Sequence, residues 1–166
     1  ILEYFRVLFE NETILKIGQN MKFDIQVLGN YGIEVKPPLF DTMIAHYLLE
    51  PDMRHNMNIL AETYLSYSPV PIESLIGNKG ANQKNMRSVP IELIKEYAVE
   101  DADVTLQLKH VFEPMLKAGN LTKLADEIEM PLIQVLADIE RTGVILSTGD
   151  LKGIAEKLRE DILSLE

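Results

Sequence analysis

The chain has 166 residues, of which 46% are hydrophobic and 25% charged, and its net charge is −10. This length suits one ordinary domain, or one domain plus part of another, and the composition is that of a globular rather than a disordered protein. Proteins that bind duplex DNA in general neutralise phosphates with clustered lysine and arginine, so the acidic balance argues against that class. It is compatible with a site built from carboxylates and metal ions.

The sequence shows no signal for export or membrane insertion. It has no cysteine, it begins Ile1-Leu2-Glu3-Tyr4 without a basic segment, and it has no apolar run near the roughly 20 residues that span a bilayer. We therefore expect a cytoplasmic protein without membrane contact. The missing initiator Met is typical of a piece of a longer chain.

In chain order, apolar spacing and capping residues predict about seven helices and one or two strands. The predicted helices cover residues 1–10, 20–31, 41–49, 58–65, 90–116, 121–142 and 148 to the end. Asn20 and Asp41 are predicted N-caps. Residues 14–17 predict a strand that ends at Gly18. From Val35 the sequence predicts a second strand, which Pro37 and Pro38 restrict to an edge or to an extended connection.

Two further sequence patterns bear on the fold and the function. The connection 66–89 is long for a compact domain, which is typical of a functional or mobile segment, and its cations Lys79, Lys84 and Arg87 either contact nucleic acid or are simply solvated. The predicted helix 121–142 carries an apolar stripe along one side. Its members are Leu124, Ile128, Leu132, Val135, Leu136 and Ile139.

Two aspartates fall on helix faces that are otherwise apolar. Asp24 lies among Val27, Leu28 and Tyr31. Asp101 lies at the centre of a second stripe, whereas its neighbours Glu100 and Asp103 are expected to point into solvent. That second stripe comprises Ile94, Tyr97, Ala98, Val104, Thr105 and Leu108.

A buried carboxylate is costly unless it is paired or bound to a metal. One such aspartate is more often a satisfied structural residue, but two on separate helices, with few cations to pair them, favour a shared Mg²⁺ or Mn²⁺ site. Tyr97 lies four residues before Asp101 on the same helix face, either as a core aromatic or beside a metal-bound water. The three histidines, His46, His55 and His110, are too scattered in sequence to predict a zinc site.

These residues match a known family. Residues 16–24 (Lys-Ile-Gly-Gln-Asn-Met-Lys-Phe-Asp) resemble the second exonuclease motif of family A DNA polymerases, Asn-x-x-(Phe/Tyr)-Asp. Residues 97–105 (Tyr-Ala-Val-Glu-Asp-Ala-Asp-Val-Thr) resemble the third, Tyr-x-x-x-Asp. Together with residues 40–43 and 54–55 between them, and with residues 128–132 and 139–144, which look like the opening of a polymerase domain, they resemble bacterial DNA polymerase I.

The resemblance implies an α-rich α/β fold similar to RNase H, here without its first strands and followed by helices that lead into the polymerase thumb. It implies hydrolysis of the 3′-terminal phosphodiester with two divalent metal ions. Asp101 would be a ligand of the first metal, Asp24 would serve the second, and Tyr97 would hold the attacking water. Contacts to the terminal nucleotide or its phosphate are implied for Gln19, Asn20, Phe23 and Arg54.

The resemblance also implies a domain division and a missing motif. Residues 1–118 would be part of a 3′–5′ exonuclease domain and residues 119–166 the start of the polymerase domain. The family's first motif, Asp-x-Glu on an early strand, has no counterpart in the sequence. We therefore expect the chain alone to bind metal weakly or not at all, to have little nuclease activity, and to expose apolar surface that promotes self-association.

The implied parent is a bacterial enzyme of the nucleoid that replicates, repairs and proofreads DNA, acting on primer–template DNA and on single-stranded 3′ ends. Two alternatives stay open. One is a domain that no longer cleaves but still receives a frayed primer end. The other is an exonuclease of the RNase D type, which shares the tyrosine-containing motif, although the polymerase-like stretch 128–144 speaks against it.

Overall fold

In the computed structural model, which describes residues 2–165, helices surround a small parallel sheet. The α-helices of this part of the chain are α1 (Leu2–Phe9), α2 (Met21–Gly29), α3 (Thr42–Leu49), α4 (Met57–Leu60), α5 (Glu73–Ile76), α6 (Ile91–Ala118), α7 (Thr122–Leu124), α8 (Met130–Thr142) and α9 (Thr148–Leu165). π-Helical turns extend α4 over Ala61–Leu65 and join α7 to α8 over Ala125–Glu129, and a 3-10 turn covers Met86–Ser88. The helix-rich α/β class predicted from the sequence is confirmed.

The sheet consists of β1 (Lys16–Gly18) and β2 (Leu39–Asp41), which run parallel with Ile17 opposite Phe40. Of the two alternatives for the segment from Val35, an edge strand or an extended connection, the structure shows a connection, and no strand begins at Val35. Pro37 and Pro38 have no N–H to donate, so the ladder begins only after them, at Leu39. Val35 is buried in the connection that leads to it.

The two predicted caps have different outcomes. Asp41 caps α3 as predicted, because its carboxylate accepts hydrogen bonds from the backbone N–H groups of Met43 at 2.8 Å and Ile44 at 3.3 Å. Asn20 precedes α2 but does not cap it with its side chain, and its backbone is left-handed, with φ 60° and ψ 48°. The same Asp41 carboxylate instead accepts from the N–H groups of Asn20 at 3.2 Å and Met21 at 2.7 Å. One carboxylate therefore satisfies the first turns of two helices.

The core forms where α6 packs against α3, β1 and the turn after α4. Leu60, Leu108 and Phe112 are among its fully buried side chains. α2 packs on α8 at the edge of this core, and Lys22 of α2 forms an ion pair with Glu140 of α8.

The apolar stripe on residues 121–142 is not the face that packs against the core. The turn before α8 and α8 itself bury Ala125, Met130, Ile133 and Ala137, while the stripe stays accessible, with Ile128 57% and Ile139 56% exposed. Small alanine side chains let this helix approach its neighbours closely, which a bulkier stripe would not. The two apolar faces cannot be told apart from periodicity alone.

The remaining differences are at helix ends. The helix expected from Asn58 begins one residue earlier, because the Asn56 side chain accepts a hydrogen bond from the N–H of Ile59 at 3.0 Å. α9 buries none of its described residues. Of the helices in residues 2–165, none combines the length and apolar character needed to cross a bilayer.

A cleft with two carboxylates as candidate active site

A cavity of about 620 Å³ lies where the end of β1 and the first turns of α2 face α6. Four residues predicted for the site line it: Gln19, Asp24, Tyr97 and Asp101. The rest of its wall is formed by Ile17, Gly18, Met57, Met86, Ile94, Ala98, Ala102, Thr105 and Leu106. Two carboxylates and a phenol thus share a mostly apolar cleft.

The elements that carry these groups explain why they meet. Asp24 lies one turn into α2, which starts directly after β1 ends at Gly18. Asp101 lies in the middle of α6, and Tyr97 precedes it by four residues, which places the two on one face of the helix. α6 packs against β1, so this face meets the start of α2.

The predicted burial around Asp24 needs correction. On α2 the buried residues are Met21 and Ile25, whereas Val27 is 40% and Tyr31 60% exposed. Asp24 therefore reaches solvent through the cleft rather than pointing into the core. On α6 the prediction is closer, because Val104, Thr105 and Leu108 are buried and Tyr97 and Asp101 are half-buried.

The surroundings of both carboxyl groups raise their pKa values above the ordinary one. Desolvation by surrounding protein atoms raises the pKa of Asp24, and the negative charge of Asp41 raises it further. Desolvation also raises the pKa of Asp101, although the neighbouring Tyr97 hydroxyl opposes this effect. Neither group forms an ion pair with a described residue. Unpaired, desolvated carboxylates attract cations.

Tyr97 remains protonated at any physiological pH. Desolvation and the adjacent charge of Asp101 raise the pKa of its hydroxyl to about 12. The hydroxyl can therefore donate a hydrogen bond to a group inside the cleft.

Gln19 is held by both ends of its amide. Its Nε2 donates to the backbone carbonyl of His55 at 2.8 Å. Its Oε1 accepts a hydrogen bond from the hydroxyl of Thr42. The side chain therefore enters the cleft in a defined orientation.

The other three predicted nucleic-acid contacts do not line this cavity. Asn20, Phe23 and Arg54 are exposed, Phe23 by 62%. Their assignment stays a prediction. The loop cations Lys79, Lys84 and Arg87 are likewise exposed.

Sequence reasoning missed two tertiary features next to the cleft. His46 and His55 are not scattered, because their Nδ1 atoms lie 2.7 Å apart. Glu100 does not point into solvent alone, because it accepts hydrogen bonds from the hydroxyl of Tyr67 and, at 2.7 Å, from the N–H of Val70. Glu100 thereby fastens the start of the connection 66–89 to α6, and Met86 from that connection reaches the cleft wall.

The cleft supplies only part of a metal shell. Within residues 2–165 there is no group of three or more His, Asp or Glu side chains that could hold a metal ion. Asp24 and Asp101 have the oxygen donors that Mg²⁺ and Mn²⁺ prefer. Two carboxylates suit a partial site for such an ion.

Comparison with known proteins decides the family. A family model described as 3′–5′ exonuclease matches residues 1–117. The chain belongs to the 3′–5′ exonuclease family. It is also 38% identical over 152 residues to DNA polymerase I of Borreliella burgdorferi, an alignment that covers 92% of this chain and 16% of that protein. The chain spans less than a fifth of the length of the curated DNA polymerases I that it matches.

Solved structures show the same fold. Brucella melitensis NrnC superposes with a TM-score of 0.68 at 24% identity, over 82% of this chain and 63% of that one. The structure of NrnC with bound Mg²⁺ also gives 0.68, at 22% identity, over 86% and 67%. These likenesses agree with the RNase H-like exonuclease fold expected from the sequence.

Proposed function

We propose that this chain is a part of a bacterial DNA polymerase I and that its cleft belongs to the site that removes 3′-terminal nucleotides during proofreading. The observation that carries the proposal is the meeting of Asp24 and Asp101, from α2 and α6, with Tyr97 in one cavity. The identity to curated DNA polymerases I along nearly the whole chain supports the polymerase context.

The proposal includes a domain division. Residues 1–118 form part of the exonuclease domain, and residues 119–166 begin the polymerase domain. The match of the exonuclease family to residues 1–117 supports this boundary, as does the end of the long helix α6 at Ala118.

Asp24 and Asp101 are the residues of this chain that would hold divalent cations, two Mg²⁺ or Mn²⁺ ions in the complete site. When bound, such ions supply a water of lowered pKa and neutralise charge that develops on the phosphate. NrnC, which shares the fold, has been solved with bound Mg²⁺. Because Asp24 and Asp101 are the only carboxylates that line the cleft among residues 2–165, we expect weak metal binding by the chain alone.

The other residues of the chain bind and orient the substrate. The protonated hydroxyl of Tyr97 donates a hydrogen bond that orients the attacking water. Gln19, fixed between Thr42 and His55, contacts the terminal nucleotide. The exposed side chains of Asn20, Phe23 and Arg54 provide further contacts, of which stacking on the Phe23 ring needs no particular base.

The substrate is the single-stranded 3′ end of DNA released from a primer–template, and the complete enzyme acts in the bacterial cytoplasm at the nucleoid. This substrate reconciles a nucleic-acid enzyme with a net charge of −10. The cations that Asp24 and Asp101 would hold, rather than clustered lysine and arginine, would neutralise the phosphate.

The proposal is tested in the complete polymerase. Replacing Asp24 or Asp101 by Ala should abolish the release of nucleotides from a labelled single-stranded 3′ end and leave primer extension intact. Asp103→Ala is the matched control, since Asp103 lies on the same helix as Asp101, does not line the cleft, and accepts a hydrogen bond from the side chain of Gln107. An unchanged exonuclease rate in Asp24→Ala or Asp101→Ala would show that these are the wrong acids.

A second candidate concerns the chain by itself. Because residues 2–165 contain no group of three metal-binding side chains, the isolated chain would receive a DNA end without cleaving it. Robust Mg²⁺-dependent hydrolysis of a single-stranded oligonucleotide by the purified chain would exclude this candidate.

A further inference from the structure

Two histidines in contact, His46 buried and His55 half-buried, take no part in the proposed chemistry. His46 of α3 is fully buried, and its Nδ1 lies 2.7 Å from Nδ1 of His55, in the connection between α3 and α4. The Nε2 of His46 lies 3.0 Å from the hydroxyl of Tyr64. The imidazole of His46 thus uses both nitrogens to join three segments of the chain.

Aromatic packing encloses this pair. The ring of His46 lies 5.3 Å from that of Tyr64 and 5.5 Å from that of Phe112, centroid to centroid. Tyr47 packs edge-on against His55 at 5.7 Å. The position of His55 is therefore set by an interior partner rather than by solvent.

The backbone of His55 connects the pair to the cleft. Its carbonyl accepts the hydrogen bond from Nε2 of Gln19 at 2.8 Å, and Gln19 lines the same cavity as Asp24 and Asp101. Tyr64 and His46 thus reach a side chain inside the cleft through His55, whose ring contacts His46 and whose backbone carbonyl accepts from Gln19.

We propose that the His46–His55 pair is a positioning element that fixes the carbonyl of His55 and thereby the orientation of Gln19 toward the substrate. The proposal rests on the proposed function for its substrate, the 3′ end of single-stranded DNA. Its geometric part concerns only residues within this chain. His46 and His55 are positioning residues, since neither lines the cleft.

The hydrogen bond between His46 and His55 depends on their protonation. A hydrogen bond between two Nδ1 atoms needs one proton shared between them, and a second proton would place two N–H groups face to face. Desolvation, followed by repulsion from His55, lowers the pKa of His46, while Glu50 opposes the shift. The groups packed around the pair are Tyr47, Tyr64 and the uncharged Phe112.

The sign of the pH effect follows from this direction. A depressed pKa in the folded chain means that the unfolded chain takes up the proton first as pH falls. The stabilisation by neutral His46 is complete above the ordinary histidine pKa of about 6.5 and is lost as pH falls below it. The orientation of Gln19 should weaken where the folded chain takes up this proton, at a pH below about 6.5.

The test uses nuclear magnetic resonance on the isotope-labelled 166-residue chain. In the wild type, the side-chain amide resonances of Gln19 should shift with the same midpoint as the ring of His46, below the ordinary histidine pKa of about 6.5. In His46→Gln and His55→Gln, hydrogen exchange at this amide should rise by about tenfold, the consequence of losing one hydrogen-bonded anchor. His110→Gln, which changes the exposed histidine of α6, is the matched control.

Two further measurements separate positioning from general destabilisation. Hydrogen exchange at the backbone amides of Leu108 and Phe112 measures the stability of the core. Faster exchange at Gln19, with unchanged exchange at these two core amides, would support positioning. Tyr64→Phe keeps the His46–His55 bond and should leave the pH profile of Gln19 in place. An amide of Gln19 that ignores pH in the wild type overturns the proposal, even if the histidine variants fail to fold.

A binding assay connects the pair to the substrate. With a labelled single-stranded oligodeoxythymidine as probe, His55→Gln should weaken binding by a few-fold relative to His110→Gln. Equal affinities with an undisturbed fold would overturn the role of the pair in binding. Failure of the wild type to bind the probe would count against the proposed function instead, and the resonance data alone would then decide whether the pair positions Gln19.

Discussion

The carboxylate of Asp41 accepts a hydrogen bond from the backbone N–H of Met21 at 2.7 Å, which ties the end of β2 to the first turn of α2. Asp41 also caps α3 through Met43 and Ile44. Because Asp24 lies one turn further along α2, the placement of this acid in the cleft depends on a buried carboxylate that never faces the substrate. Charge at Asp41 also contributes to the raised pKa of Asp24.

Replacing Asp41 by Ala should destabilise the chain strongly. Two helices lose their cap at once, and at about 1 kcal/mol for each cap, with more for the burial, we expect a loss of about 2–4 kcal/mol in the free energy of unfolding. Urea unfolding followed by circular dichroism measures this. Asp52→Ala, at an exposed aspartate beyond the end of α3, is the control and should change stability little. A loss below about 1 kcal/mol for Asp41→Ala would mean that the caps are dispensable.

The parts of the site that follow local rules could be predicted from the sequence. Tyr97 and Asp101 are four residues apart on one helix, so their common face follows from helical geometry alone. Asp24 could be singled out in the same way, although the face assigned to it was wrong. The cap at Asp41 is local too, since its partners Met43 and Ile44 follow it directly.

The parts that depend on tertiary packing could not be predicted. The bond between Asp41 and Met21 joins residues 20 positions apart, and that between His46 and His55 closes across a connection without regular spacing. The buried face of α8 could not be told from the sequence for a related reason. Periodicity identifies apolar faces, but the close approach allowed by Ala137 decides which face is covered.

Neutralising a cleft carboxylate should stabilise the chain in the absence of metal. Asp24 and Asp101 have raised pKa values in the folded state, so the unfolded chain releases these protons first as pH rises. The free energy of unfolding therefore falls between the ordinary carboxyl pKa and the raised pKa of the folded state. Above the raised pKa this loss of stability no longer changes with pH. Asp101→Asn should therefore raise the Tm at neutral pH by about 1–3 °C, a small gain because the group is partly solvated.

Thermal unfolding over a series of pH values checks this sign. The gain of Asp101→Asn should shrink as pH falls toward the ordinary carboxyl pKa near 4, where both chains carry a neutral group. Asp103→Asn on the exposed side of the same helix should give no gain. A lower Tm for Asp101→Asn than for Asp103→Asn at neutral pH would contradict a desolvated, unpaired Asp101.

Removing the Tyr97 hydroxyl should slow the proposed proofreading reaction without weakening substrate binding. The hydroxyl, with a pKa of about 12, acts as a fixed donor to water, so its loss affects orientation at the moment of attack. In the complete polymerase, Tyr97→Phe should lower the exonuclease kcat by about tenfold to a hundredfold with an unchanged KM.

The comparison for Tyr97→Phe is Tyr67→Phe, which removes a hydroxyl bonded to Glu100 outside the cleft wall. Primer extension by both variants should equal that of the wild type. If KM rises while kcat stays constant, Tyr97 contributes to binding rather than to orientation of the water.

The exposed apolar stripe of α8 should make the isolated chain self-associate. Ile128, Val135 and Ile139 are each more than half exposed, and α9 adds a helix whose described apolar residues are all accessible. Contiguous apolar patches of this kind are uncommon on monomers and drive association in water. Light scattering should therefore give a mean mass that rises with concentration.

The double variant Val135→Lys/Ile139→Lys tests whether the stripe causes this association. It should shift the mean mass toward that of a monomer and keep the Tm, because neither side chain belongs to the core. Asp138→Lys, on the same helix but outside the stripe, controls for the added charge and should leave association intact. A wild-type chain that stays monomeric at every concentration would show that the exposed stripe is too small or too broken by polar groups to associate.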